Sequence, residues 1–336
     1  MKKILITGGA GYIGSHTAVE LWKAGMEPII LDDLSNSYAS VIDRLEEITG
    51  KRFAFYQGDC NKKSLLKSIA DKHKIEGVIH FAAFKAVGES TAQPLKYYRN
   101  NVGSLMVLLQ FMQERGIRDL VFSSSCTVYG QPDVLPVTES TPRKEAESPY
   151  GNTKKICEDI LIDYVKSKPG IRVISLRYFN PIGAHSSAKI GELPIGTPNN
   201  LVPFITQVAA GIREKLTVFG DDYDTVDGSC IRDYIHVMDL ADAHVKALAF
   251  LNGQENNFYD VFNVGTGNGN TVLEVIHAFE KVSGVKLNYV IGPRRAGDVV
   301  KTWADTTKIN TVLGWHPHYS LEDCMRDSWN WQKSLR

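Results

Sequence analysis

The 336-residue chain has no excess of either charge. Its 38 basic side chains balance 38 acidic ones, so it offers no overall field to nucleic acid or to an anionic membrane, and an anionic ligand must be met by local groups. It also lacks any apolar run near the roughly 20 residues that span a bilayer. A glycine turn follows Met1-Lys2-Lys3-Ile4-Leu5-Ile6-Thr7 too soon for the apolar core of a signal peptide. These absences predict a soluble cytoplasmic protein. Cysteine is sparse and scattered: Cys60, Cys126, Cys157, Cys230 and Cys324 are odd in number and contain no Cys-x-x-Cys pair, which argues against a disulfide frame or a metal site. The nine histidines form no metal set either. His316-Pro317-His318 reads as solvated loop, and His236 and His244 as core residues. There is no internal repeat, heptad run or low-complexity segment.

What is present is alternation. Short β-branched runs at 4–7, 27–32, 53–57, 77–82, 119–123 and 172–178 are separated by helical patterns, the sequence form of an α/β fold with a doubly wound parallel sheet. A soft prior of about 150 residues per domain suggests two domains. The regularity breaks after Tyr178 into a Pro, Gly and Asn-rich stretch, 180–200, which reads as loop and as the start of a second, smaller α/β domain. A helix at 239–251 and a strand at 260–264 suggest a return to the first sheet. Two more helices, at 272–283 and 321–332, flank the turn Pro293-Arg294-Arg295-Ala296-Gly297-Asp298.

At the first strand-to-helix junction, Thr7-Gly8-Gly9-Ala10-Gly11-Tyr12-Ile13-Gly14 is a G-x-x-G-x-x-G variant of the dinucleotide fingerprint. Gly8 permits the tight turn, Gly11 lets the backbone approach a pyrophosphate, and Gly14 lets helix and strand pack closely. A lone glycine pattern is weak, but the strand before it and the helix after it give it meaning. About twenty residues on, the second strand ends at Asp32-Asp33, where a carboxylate binds adenosine ribose hydroxyls and repels a 2′-phosphate. This pattern prefers NAD over NADP, although a merely solvated loop acid at one of the two positions would look the same. Asp59 and Phe81-Ala82-Ala83 follow the third and fourth strands as supporting positions.

Tyr150 and Lys154 are four residues apart near the start of a predicted helix, so they share one face. A phenol ionises near pH 10, and serving as a base near neutrality requires lowering that by roughly three units, about 4 kcal/mol. A neighbouring ammonium and a nicotinamide's positive charge have the right sign. An isolated Y-x-x-x-K is commonly a solvated pair. Here Ser123-Ser124-Ser125-Cys126-Thr127 ends the fifth strand at the sheet edge where such folds bind ligands. A hydroxyl there can bridge substrate oxygen and phenol. Glycine turn, serine and Tyr150–Lys154 occur in the order that one hydride-transfer site needs.

Further motifs run through the chain: TGGAGYIGSH at 7–16, HFAAFKAVGES at 80–90, SSSCTVYG at 123–130, SPYGNTK at 148–154, RYFNPIGAH at 177–185, TPNNL at 197–201 and RDYIHVMDLADAH at 232–244. Over nearly the full length this set resembles the UDP-glucose 4-epimerase family, also called UDP-galactose 4-epimerases, of the extended short-chain dehydrogenase/reductase superfamily. The resemblance implies a Rossmann domain holding NAD over 1–179 and about 235–266, and a UDP-sugar-binding domain over about 180–234 and 267–336. It implies interconversion of UDP-galactose and UDP-glucose, in galactose metabolism, through a 4-keto sugar, with the UDP-hexose across the cleft between domains. Catalysis is implied for Tyr150, Lys154 and Ser125: Tyr150 takes the 4-hydroxyl proton as hydride leaves C4, Ser125 bonds that oxygen, and Lys154 holds the nicotinamide ribose and tunes Tyr150. For NAD, matching positions are Gly8, Gly11, Tyr12, Ile13, Gly14, Asp32, Asp33, Asn36, Ser37, Asp59, Cys60, Phe81, Ala82, Lys85, Asn100 and Phe179, besides the catalytic three. For the UDP-sugar, Thr127, Asn180, Asn200, Leu201, Thr217, Val218, Phe219, Arg232, Tyr234, Arg295, Asp298 and Thr302 join Lys85, Phe179, Ser125 and Tyr150. Paired guanidinium donors on Arg232 and Arg295 suit a diphosphate, although a surface ion pair would look the same. A homodimer through helices of the first domain is implied, with 94–116 as the candidate stretch.

The chain departs from the family pattern at Asp33, where asparagine is usual, at Ala83-Phe84, where Gly-Leu is usual, and at Cys126, where alanine is usual. Thr302 occupies a position that in some members is tyrosine and in others small, near the sugar's 2-substituent, so UDP-GlcNAc and UDP-GalNAc are expected as further substrates. Nucleotide-sugar 4,6-dehydratases share the first hydride step but eliminate water with an Asp-Glu pair after the fifth strand. Ser125-Cys126-Thr127 contains no carboxylate. A UDP-glucuronate epimerase or decarboxylase is disfavoured by the match at 177–201. A non-catalytic NAD sensor would not need Tyr150, Lys154 and Ser125 together.

Overall fold

The computed structural model describes all residues except Lys168, Pro169, Ala296, Gly297 and Arg336. It divides into two compact units: unit 1 is Met1–Gly130, Arg143–Arg177 and Ala241–Phe262, and unit 2 is Gln131–Pro142, Tyr178–Leu240 and Asn263–Arg336.

Unit 1 is built on strands β1 (Lys3–Thr7), β2 (Glu27–Asp32), β3 (Ala54–Gln57), β4 (Ile75–His80), β5 (Asp119–Ser125) and β6 (Arg172–Tyr178). The later strands are β7 (Asn180–Ile182), β8 (Leu216–Phe219), β9 (Ile231–His236), β10 (Phe258–Val264), β11 (Gly269–Thr271), β12 (Tyr289–Gly292) and β13 (Lys301–Thr302). The seven-stranded sheet has the order β3-β2-β1-β4-β5-β6-β10, so the chain does return to its first sheet. Pairing from β3 through β5 is parallel, with Ile6 opposite both Ile30 and Ile79. Ile4, Leu5, Ile6, Ile29, Ile30, Val78 and Ile79 are all essentially inaccessible, which is why these strands read as continuous apolar runs rather than alternating ones. Helices Lys63–Lys72, Gly103–Arg115 and Pro149–Ser167 give Leu66, Ile69, Leu105, Leu108, Phe111, Met112 and Leu161 to the core on one face. Because the strands are parallel, their carboxyl ends share one edge. Gly8, Asp32, Phe81 and Ser125 therefore lie along a common rim.

Unit 2 contains a sheet of order β11-β9-β13, with β7 also pairing β9, and a two-stranded sheet β12-β8. Its core gathers Ile182, Val202, Ile205, Val218, Val275, Ile276, Phe279 and Met325. Two features depart from the sequence reading. The stretch after Tyr178 is not all loop, since Asn180–Ile182 finds hydrogen-bonding partners in parallel on β9. Residues 131–142, expected with the first domain, fall in unit 2. There the Val137 amide donates to the Trp303 carbonyl at 2.9 Å, and the Val137 carbonyl accepts from Asp305 N at 2.7 Å and Asn263 Nδ2 at 2.8 Å. No helix among the described residues is long and apolar enough to cross a membrane.

Candidate active site

The glycine turn packs so closely that side chains are excluded. A Cβ on Gly8 (φ +72°) would lie 2.8 Å from the Ala82 nitrogen, and one on Gly14 would lie 2.3 Å from the Gly8 carbonyl oxygen. The Thr7 carbonyl accepts from the amides of Phe81 at 2.9 Å and Ala82 at 3.1 Å, so the end of β4 sits directly beside the turn. Helix Tyr12–Lys23 then starts at Gly11, with Tyr12 and Ile13 as its first residues, no side-chain cap and no acid in its first turn. The positive end of its dipole is left to an anion.

Asp32 closes one side. Its carboxylate accepts from the Ala10 amide at 3.0 Å, the Leu34 amide at 2.9 Å and the Ser37 hydroxyl at 2.8 Å. Burial nevertheless pushes it above the ordinary carboxylate value. Asp33 and Asn36 are exposed, and Asp33 accepts the Ser35 amide at 2.9 Å. Asp59 holds both the amide and side chain of Asn61, and Asn61 also donates to Asn100 Oδ1 at 3.4 Å. Cys60 is buried, its thiol pushed up to about 12 by burial and by Asp59. Phe81 is half-buried with its ring centroid 4.7 Å from that of His244, and Lys85 is exposed. The shape and donors of this rim fit a dinucleotide. Among the described residues no cluster of His, Cys, Asp and Glu could hold a metal ion.

Farther along the rim, Ser125 ends β5 and caps a short 3-10 turn: its hydroxyl accepts from the Thr127 amide at 3.2 Å and the Thr127 hydroxyl at 3.0 Å. Tyr150 hydrogen-bonds the Ser125 side chain. Ser148 Oγ accepts the Gly151 amide at 3.2 Å, ordering the first turn of the helix that carries Tyr150. Lys154, 4 % exposed, donates to the Ser123 carbonyl at 2.5 Å and lies 5.0 Å from the centroid of the Phe122 ring. Ser125 and Tyr150 thus come together, while Lys154, one helical turn along, is bonded to the Ser123 carbonyl. Burial drives Tyr150 up to about 12, opposed by Ser125, and burial drives Lys154 down to about 8. The Lys154 ammonium is turned to the Ser123 carbonyl.

In unit 2 a second group of expected residues converges on β9. Asn180 is paired with Tyr234, and Thr302 with Arg232. Arg295 grips Asp298 with two bonds, Nε to Oδ2 at 3.1 Å and Nη2 to Oδ1 at 2.6 Å, while Arg232 Nη2 lies 3.7 Å from the same Oδ1. Two guanidinium groups on one carboxylate leave a net positive patch. The Arg295 guanidinium stands 5.6 Å from the Phe219 ring centroid, and that ring is 43 % exposed. Ala296 and Gly297, between these residues, lie outside the described residues. Thr217 and Val218 precede Phe219 on β8; Val218 is buried in the core, so a ligand could meet it only through its backbone. Tyr234 is buried and pushed up to about 12 by that burial. Asn200 is exposed, donates to Glu192 at 2.7 Å and precedes the helix that begins at Leu201. Phe179 is buried, its amide bonded to the Val264 carbonyl at 3.2 Å.

Sequence reasoning missed several residues of unit 1. Asn101 lies in a π-helical turn, Tyr98–Val102, accepts the Phe84 amide at 2.9 Å and donates to the Phe84 carbonyl at 3.0 Å and to Thr153 at 3.1 Å. It ties the loop after β4 to the helix of Tyr150. His80 is buried, bonded to Thr7 at 2.6 Å, and held at about 3, hence neutral, by burial and by Lys154. Glu158, one helical turn beyond Lys154, is buried with Arg177. The available signal was the i,i+4 spacing of Lys154 and Glu158, which equally describes a solvated helix face.

Fold and site together define a dinucleotide-binding enzyme class, the short-chain dehydrogenases/reductases in their extended form. The family model described as GDP-mannose 4,6 dehydratase matches residues 5–328. UDP-glucose 4-epimerase of Erwinia amylovora is 51 % identical over 329 residues, 98 % of this chain and 97 % of that protein. A crystal structure of UDP-glucose 4-epimerase from Stenotrophomonas maltophila, with bound NAD and formylated UDP-arabinopyranose, matches with a TM-score of 0.97 at 47 % identity, covering 100 % of this chain and 99 % of that one. That of the Bifidobacterium longum enzyme, in complex with NAD+ and UDP, has a TM-score of 0.96 at 44 % identity, covering 99 % and 98 %. The chain belongs to this family of nucleotide-sugar enzymes, among its UDP-glucose 4-epimerases.

Proposed function

We propose that the protein is an NAD-dependent UDP-glucose 4-epimerase, interconverting UDP-galactose and UDP-glucose in the cytoplasm. The observation that carries this reading is the hydrogen-bonded Ser125–Tyr150 pair, one helical turn from the buried Lys154, on the same sheet edge as the glycine cradle. In unit 1 the start of helix Tyr12–Lys23 would hold the cofactor's diphosphate, and Asp32 would hold its adenosine ribose. Bound NAD would supply the acceptor for hydride from the sugar's C4 and, once reduced, the source of the hydride that goes back to the other face of C4; its oxidised ring would also supply the positive charge that favours ionisation of the phenol. Tyr150 then takes the 4-hydroxyl proton, Ser125 holds that oxygen, and Lys154 keeps an ammonium behind the phenol. After the sugar turns over, Tyr150 returns the proton. Unit 2 grips the UDP group, with Arg232 and Arg295 on the diphosphate and Phe219 near the base.

Elimination of water, the alternative that the family model's description raises, needs an acid and a base beside the sugar's C5 and C6. Cys126 and Thr127 supply neither. The short, half-buried side chain of Thr302 supports acceptance of N-acetylated UDP-hexoses as well. Leu95 and Met106, 81 % and 46 % exposed within 94–116, support a homodimer closed over that stretch. The test is purified protein with UDP-galactose and no added nicotinamide cofactor, followed by chromatography. UDP-glucose formed by the parent establishes epimerisation on retained NAD. Absence of product, with NAD recovered from the denatured protein, overturns this choice of sugar.

A further inference from the structure

Glu158 and Arg177 form an ion pair with essentially no solvent contact: Glu158 is 0 % exposed and Arg177 4 %. Such a pair loses about as much hydration as its attraction regains, so it is a poor way to stabilise a core. What it holds is more telling. Glu158 Oε1 accepts Ser124 Oγ at 2.6 Å and Arg177 Nε at 2.9 Å, and Oε2 accepts Arg177 Nη2 at 2.6 Å and Arg143 Nη1 at 3.3 Å. Arg177 Nη1 donates to the Tyr129 hydroxyl at 2.9 Å, and its guanidinium stands 4.9 Å from that ring's centroid. Ser124 precedes Ser125, and Tyr129 closes the turn that follows it. Three consecutive residues of β5 are thereby tied to helix Pro149–Ser167: Ser123 by Lys154, Ser124 by Glu158 and Ser125 by Tyr150.

We propose that Glu158, held by Arg177, is a positioning residue that fixes the register between the end of β5 and the Tyr150 helix and keeps a carboxylate one turn from Lys154. The proposal rests on the epimerase reading of the Tyr150 site. Around Lys154, burial lowers the ammonium to about 8, and the Glu158 carboxylate on its own helix opposes that fall. Cys157 is itself pushed up to about 12 and Tyr150 to about 12, so both are neutral. From β4 it faces His80, held neutral near 3; from β5, the uncharged Phe122 ring and Ser123 carbonyl. Arg177 on β6 and Arg143 are engaged by Glu158 itself. Removing the Glu158 charge therefore lowers Lys154 further, and its ammonium is lost at a lower pH than in the parent.

The test uses holoprotein carrying Ser124→Ala, Glu158→Gln or Glu158→Asp, with kcat and KM for UDP-galactose across pH and hydrogen exchange by mass spectrometry. Ser124→Ala keeps the ion pair and removes only one tie; kcat falls about 3–10-fold with KM changed less than about twofold. Glu158→Gln lowers kcat about 10–100-fold and moves the alkaline limb of the profile down by about one pH unit. Glu158→Asp keeps the charge but shortens the reach, so kcat falls while the limb stays at the parental pH. In Ser124→Ala, exchange quickens at 123–129 and stays parental elsewhere. A folded Glu158→Gln with parental kcat and limb overturns the proposal, as does unchanged exchange at 123–129 in Ser124→Ala. Hydrogen exchange requires no substrate. A parent inactive on UDP-galactose would therefore defeat the functional reading while the register is still decided.

Discussion

Helix Tyr12–Lys23 of unit 1 begins at a bare glycine with no side-chain cap and no acid in its first turn, whereas helices Val272–Ser283 and Leu321–Ser334 of unit 2 each begin in a complete capping box, Thr271 with Glu274 and Ser320 with Asp323. A capped start has its amides engaged by its own side chains; an uncapped one leaves them to solvent or to an anion. Missing caps alone are not diagnostic, since Ser40–Thr49 and Lys63–Lys72 also begin without one. The difference lies in what surrounds the start: the close approach of Gly8 and Gly14 to neighbouring backbone at the sheet's carboxyl edge. The same contrast extends to charge. Unit 1 holds the buried Lys154 and His80 and the half-buried Tyr150 away from their ordinary acidities, while unit 2 sets Arg232, Arg295 and Asp298 in a partly solvated cluster. Buried, shifted groups suit chemistry, and solvated paired charges suit gripping a polyanion. Substitutions in unit 1 should therefore act on turnover or on the cofactor, and those in unit 2 on substrate affinity.

The strongest break of that contrast is Tyr150→Phe, which removes one hydroxyl. Loss of a general acid–base group lowers kcat roughly 10²–10⁴-fold, and the helix, capped by Ser148, keeps its melting temperature. Initial rates with UDP-galactose decide it; a variant with parental kcat would place the base elsewhere. Next is Gly14→Ala, whose Cβ must displace the Gly8 carbonyl 2.3 Å away. Overpacking of about 1–3 kcal/mol, directed at the cofactor turn, should weaken NAD retention roughly tenfold to 100-fold. Gly88→Ala, whose Cβ would meet nothing within 4 Å, is the control. Equal NAD content in the two purified variants would remove the cradle from the argument.

The contrast was only half legible in the sequence. Strands β1, β2, β5 and β6 are readable to within two residues because burial on both faces leaves unbroken β-branched runs. Strands β7 and β13, three and two residues long, carry no period of their own; they exist because β9 offers hydrogen-bonding partners. Tyr150, Lys154 and Ser125 could be grouped by spacing and strand order. The upward push on the phenol could not, because it comes from burial, which only the packed structure shows. Nor could Glu158 be singled out, since only the sheet order brings Arg177 from β6 against that helix face.

Two substitutions in unit 2 sharpen the comparison from the other side. Arg232→Gln removes a charged donor from the patch shared with Arg295 and Asp298. A charge-assisted contact to a diphosphate is worth about 1.5–3 kcal/mol, so KM for the UDP-sugar should rise about 10–100-fold with kcat within a few-fold. A fall in kcat at unchanged KM would contradict the division of labour. Thr302→Tyr fills space on β13 opposite Arg232. Turnover of UDP-GlcNAc should drop about tenfold relative to UDP-glucose, in line with 1–3 kcal/mol for overfilling a pocket. Equal rates before and after would show that neighbouring side chains already occupy that space.

The smallest effect is expected at Ser320→Ala, which opens a capping box far in sequence from every site residue. Ser320 Oγ accepts the Asp323 amide at 3.1 Å and donates to Asp323 Oδ2 at 2.6 Å. Losing an N-cap costs about 1 kcal/mol, a fall of roughly 2 °C in Tm for a chain of this size, with kcat and KM unchanged. The effect should also depend on pH. Hydrogen bonds from Ser320 and from Arg326 hold Asp323 down at about 2, below its ordinary 3.8. Its contribution is present in full above 3.8 and is lost as the pH falls through about 2. The variant gives up part of that stabilised carboxylate, so the gap in Tm between parent and variant is constant from pH 7 to 5 and narrows below about 4. A gap that stays constant into acid would assign the loss to the serine's bond with the helix amide alone. Any change in kcat would mean that the capped helices of unit 2 are coupled to the chemistry after all.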